Sequence, residues 1–81
     1  MELAEPEVRD ILLESSNDFR TLAAQHAEFE SRLEELTSKP LPTEQEQVEE
    51  IEIKKQKLRL KDQMAAMIRD YRREQLTAVA H

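Results

Sequence analysis

The chain has 81 residues, with 12 Lys+Arg against 18 Asp+Glu for a net charge of −6, and it contains no Gly and no Cys. Without Gly there is no phosphate-cradling loop, dinucleotide fingerprint or EF-hand turn, and without Cys no disulfide, thiolate metal site or thiol nucleophile. Net acidity disfavours a general nucleic-acid binder, and no apolar run reaches the length of a bilayer span or a signal-peptide core, so a single cytoplasmic domain over 1–81 is expected.

The first predicted element is a helix over about 7–37. Val8, Leu12, Ser15, Phe19, Leu22, His26, Phe29, Leu33 and Leu36 step by alternating fours and threes, a seam whose only polar members are Ser15 and His26. Such a period places all nine on one face of a helix. Pro6 suits a first helical turn, and Glu7 and Asp10 suit the positive end of the dipole. Ser15-Ser16-Asn17-Asp18 is the weak point, because these residues favour caps over helix interiors and offer a restart at Phe19. The seam keeps its phase across them, which predicts a continuous helix.

A breaker follows. Ser38-Lys39-Pro40-Leu41-Pro42-Thr43 holds two prolines in three residues, each lacking a donor and restricting its predecessor, so 38–43 is predicted as a loop. Thr43-Glu44-Gln45-Glu46 then reads as a capping box opening a second helix over about 44–76. Ile53, Leu60, Met64, Met67 and Tyr71 share one stripe of this helix, with Ile68 on its flank. Ile51, Leu58, Ala65 and Leu76 cluster on nearly the opposite face. The second helix therefore has two apolar sides where the first has one.

Charge is partitioned along the chain. Residues 1–53 carry 4 basic and 15 acidic side chains, a net of −11, and residues 54–81 carry 8 basic and 3 acidic, a net of +5. Folding the second helix antiparallel on the first sets the cations from Lys54 to Lys61 beside the acidic stretch from Glu28 to Glu35. The predicted fold is all-α: an antiparallel two-helix hairpin that dimerises into a four-helix bundle. The face of Ile51, Leu58, Ala65 and Leu76 has no partner within a hairpin, and exposed apolar rows on small proteins mark contact surfaces.

No constellation of residues suggests catalysis. The many carboxylates have no dry, concave site to share, and Ser15 and Ser16 have no histidine at helical spacing to activate them. His26 sits in the seam, where a half-buried imidazole can act as a pH switch. Its expected role is plainer: a packed ring hydrogen-bonded across to the second helix. The only other imidazole is His81, so no metal is expected, and no cofactor or small-molecule substrate either. Lys54, Lys55, Arg69, Arg72 and Arg73 form a candidate basic patch, the basis of an alternative reading as an RNA-binding hairpin dimer. Aromatic interleaving is limited to Tyr71, a thin basis for base stacking. Met64-Ala65-Ala66-Met67 suits core packing as well as an adaptable docking surface.

Two stretches resemble the YdcH family of small bacterial proteins. In Asp18-Phe19-Arg20-Thr21-Leu22-Ala23-Ala24-Gln25-His26-Ala27-Glu28-Phe29, the matching positions are Phe19, Leu22, His26 and Glu28. In Lys54-Lys55-Gln56-Lys57-Leu58-Arg59-Leu60-Lys61-Asp62, the Lys pair, Leu58 with Leu60, and Lys61-Asp62 carry the likeness. The resemblance spans roughly 8–72. Phe29 departs from it, since members more often carry a smaller aliphatic residue there, and the tail from Glu74 to His81 is peculiar to this chain. The resemblance implies a helical hairpin in a bacterial cytoplasm and no activity. The function expected from the residues is a non-catalytic protein-interaction module that binds itself and another protein.

Overall fold

The computed structural model describes residues 5–79, with side chains described through residue 77. Three helices follow in order, α1 (Glu5–Ser15), α2 (Asn17–Thr37) and α3 (Glu44–Val79). No strand occurs among the described residues. The 36 residues of α3 form the spine, and at 1.5 Å per residue its length of ~54 Å accounts for the long dimension of a 58 × 20 × 18 Å particle.

The first half of the chain departs from the continuous helix expected over 7–37. It breaks at Ser16, whose backbone is extended at φ −121° and ψ 115°. Ser16 Oγ accepts from the Phe19 amide at 3.1 Å and caps α2, while its own amide still donates to Leu12 O at 2.8 Å and closes α1. Arg20 fastens the junction from the other side. Its Nη1 donates to Leu13 O at 3.2 Å and Glu14 O at 3.0 Å, and its Nη2 donates to Asn17 Oδ1. The carbonyls that α1 leaves unpaired at its end are thus partly satisfied by a guanidinium one turn into the next helix. Ser15, expected in the seam, is exposed and returns its hydroxyl to Ile11 O at 2.7 Å.

The break lets α1 fold back. A straight helix would separate Glu5 from His26 by ~31 Å, yet both line one small concavity with Arg9, Lys61, Met64, Ala65 and Ile68. The core of this end is therefore built by three helices. Val8 and Leu12 of α1, Phe19 of α2, and Met64 and Ile68 of α3 form one buried cluster, with Leu22, Met67 and Tyr71 packed against it. Ile68, expected on the flank of the stripe, is fully part of it, and Met64 and Met67 pack as core.

At the other end α2 packs on α3 alone, with Leu36 and Ile53 buried. The turn lies at 38–43, as the prolines predict. Without Gly to take a left-handed cap, α2 ends with Ser38 still right-handed at φ −80° and ψ −13°, its amide donating to Glu34 O. The capping box forms in both directions: Glu46 N donates to Thr43 Oγ1 at 3.1 Å, and Thr43 N donates to Glu46 Oε1 at 2.9 Å. Leu41 stands at the tip, 88% exposed.

Candidate functional site

The core stripe of α3 turns Ile53, Leu60, Met64 and Ile68 inward, which leaves residues such as Ile51 and Leu58, two places before Ile53 and Leu60 and so about 160° around the helix, facing out. Ile51, Leu58 and Leu76 are 55%, 61% and 53% exposed, and Val48, one turn before Ile51, joins them at 58%. The sequence pattern passed over Val48 because it sits among the glutamates of the first turns. Its spacing of three before Ile51 is the signal that places it in the row.

Ala65 is exposed as well, but it is not as unpartnered as a two-helix hairpin would leave it. The folded-back α1 brings Glu5 alongside, and Glu5, Ala65, Ile68, Arg69, Arg72, Arg73 and Leu76 line a shallow, open groove along the C-terminal half of α3. The outer face thus has two different ends: Val48 and Ile51 among glutamates, and Leu76 among arginines.

Ion pairs join α2 to α3. Arg32 of α2 grips Glu49 of α3 through Nε to Oε2 at 2.6 Å and Nη2 to Oε1 at 2.9 Å, and its Nη1 reaches Glu35 at 2.9 Å. Those bonds push the guanidinium pKa up and hold the Glu49 carboxyl below its usual range. Lys57 approaches Glu30 at 3.5 Å, the kind of pair expected from setting the second helix's cations beside the first helix's acids. The Arg32–Glu49 clamp reverses that charge order, setting a cation of α2 on an acid of α3, and so lies outside the pairing expected from the sequence.

The five cations of the alternative reading do not gather into one patch. Lys54 and Lys55 lie ~22 Å along the helix from Arg69. Lys54 pairs with Glu50 at 3.0 Å and Arg69 lies 3.8 Å from Asp70. Arg72 is half-buried at the groove, and Lys55 and Arg73 are exposed.

His26 is half-buried, as expected, but makes no bond across to α3. Its Nδ1 is 3.7 Å from Glu30 Oε1 on its own helix, and its buried Nε2 has no hydrogen-bond partner among the described residues. No group of three or more His, Asp or Glu side chains among the described residues is placed to hold a metal ion. His81 lies outside the described residues. No helix among them is long and apolar enough to cross a membrane.

Neither the curated proteins nor the solved structures give a significant match to this chain. A family match does exist, and it runs from Phe19 at the core of the three-helix end, around the turn, to Ile68, which closes the same cluster. It covers α2 and most of α3 and stops short of α1. Matched over residues 19–68, the chain belongs to the YdcH-like family described as "Protein of unknown function (DUF465)".

Proposed function

We propose that this protein is a small, non-catalytic interaction module of the bacterial cytoplasm. It works by packing the outer face of α3 against another helix, and its first partner is a second copy of the chain, in a homodimer whose two hairpins make a four-helix bundle. The observation that carries this reading is the row of Val48, Ile51, Leu58 and Leu76, each more than half exposed on a helix whose other side already fills the core. A row of that kind on a small chain gains from being covered, and an amphipathic helix covers it through side chains at i, i+3, i+4 and i+7.

The test is an affinity pulldown from bacterial lysate, with and without nuclease, using wild type, Leu58→Glu and the pair Arg72→Glu with Arg73→Glu. Protein ligands that resist nuclease and are lost with Leu58→Glu support the reading. A salt-labile, nuclease-sensitive set of RNAs, lost only with the arginine pair, replaces it with phosphate recognition, because phosphate contacts weaken steeply with salt and an apolar seam does not.

A further inference from the structure

We infer that the outer face of α3 pairs with the same face of a second copy in antiparallel order, with Ile51 of each chain opposite Leu76 of the other and Glu52 opposite Arg73. This rests on the reading of that face as the working surface and adds its direction and register.

The face is a second seam. Val48, Ile51, Lys55, Leu58, Asp62, Ala65, Arg69, Arg72 and Leu76 step by strictly alternating threes and fours, the spacing of a left-handed two-helix coil. Five of the nine are apolar, at the two ends and in the middle. Parallel pairing in register would set Lys55, Asp62, Arg69 and Arg72 each against its own kind, and the glutamates of the first turns against glutamates. Antiparallel pairing brings the acidic end of each copy to the arginine end of the other.

Of the antiparallel registers that hold the two seams in step and set apolar on apolar, Ile51 against Leu76 keeps the longest overlap of the two copies of α3. Leu58 then faces Arg69, whose methylene stem can cover it, and Asp62 faces the small Ala65. Beside the Ile51–Leu76 layer stand Glu52 and Arg73. Both are exposed, and neither makes an ion pair within the chain among the described residues. The like-charge layer, Lys55 against Arg72, occurs twice by symmetry, and Glu5 lines the same groove as Arg72 to offset it. Each copy supplies both ends, so the contact repeats about one twofold axis and closes as a dimer.

The chain has no cysteine, so introduced cysteines report cleanly. Ile51 and Leu76 are ~38 Å apart along α3, too far for a disulfide within one chain. Under mild oxidation, Ile51→Cys with Leu76→Cys in one chain, or an equimolar mixture of the two single variants, is expected to give covalent dimers, while either single variant alone gives none. Glu52→Arg should weaken the dimer roughly 2- to 30-fold, from two symmetry-related exposed pairs, and adding Arg73→Glu should restore it. Self-cross-linking by each single variant, with a dimer that Leu58→Arg abolishes, overturns the antiparallel order and leaves the face reading standing. A wild type that stays monomeric to about 1 mM, a contact of at most ~4 kcal/mol, overturns the self-pairing. Association that Leu58→Arg, which sets like charges face to face against Arg69 in this register, leaves untouched overturns the face reading itself.

Discussion

The folded-back α1 makes a quantitative demand on Leu12 and Ile68. Both are buried, 7% exposed each, in the cluster that joins all three helices. In the register set by Lys57 beside Glu30, a straight continuation of α2 would instead carry Leu12 to the level of Gln75, about 10 Å along α3 from Ile68. Truncating a buried Leu or Ile to Ala costs ~2–5 kcal/mol. The lower part of that range applies here, because the end of a slender bundle can relax into the space. Two side chains of one cluster should also couple, by ~0.5–3 kcal/mol, whereas sites 7–10 Å apart with no shared partner add within ~0.3–0.5 kcal/mol. Urea unfolding of wild type, Leu12→Ala, Ile68→Ala and the double variant, followed by circular dichroism at 222 nm, measures the cycle. A loss of ~2 kcal/mol for Leu12→Ala together with clear non-additivity supports the three-helix end. A small loss for Leu12→Ala with full additivity would refute it and restore the straight helix.

Thr43→Ala removes the hydroxyl that accepts from Glu46 N and should cost about 1 kcal/mol by thermal or urea unfolding. Stability should fall in acid: bonding to Lys39 and to the Thr43 amide holds the Glu46 carboxyl at about 2 against an ordinary 4.5, and Arg32 lowers Glu49 in the same sense. A carboxyl depressed in the folded state contributes fully above the unfolded value and is lost as pH falls through the folded one, so the melting temperature should drop between pH 4.5 and 2, less steeply in Glu46→Gln. His26→Leu should keep the helical spectrum and raise stability by up to ~1 kcal/mol, since it removes a buried Nε2 that has no hydrogen-bond partner among the described residues; a destabilised variant would show that the imidazole makes a needed polar contact.

Features set by local chemistry were legible in the sequence. The two prolines place the turn, Thr43 and Glu46 place the start of α3, and the period of Ile53, Leu60 and Met64 picks its inward side. The break at Ser16 was signalled by four cap-forming residues, but the seven-residue period ran through it undisturbed. Period alone could not decide, because Val8 and Leu12 form an apolar face whether α1 continues α2 or folds over it. The choice is tertiary: the cap on Phe19 N, the reach of Arg20 back to two carbonyls, and the space over Met64 and Ile68. The outer face was legible in part for the same reason. Leu58 and Ile51 stand out wherever the helix lies, while the surroundings of Ala65 depend on where α1 goes.

Sedimentation equilibrium on wild type and Leu58→Arg tests the central claim, that the outer face of α3 is the working surface, most directly. Leu58 is 61% exposed and is not a member of the buried cluster, so a charge there should leave the fold and its helical spectrum intact, while a cation faces Arg69 of the other copy in the antiparallel register. The expected result is a wild-type particle of twice the 9.5 kDa chain mass and a Leu58→Arg particle at the single-chain mass over the same concentrations. A monomeric wild type, or a Leu58→Arg protein that dimerises as tightly as wild type, would contradict it.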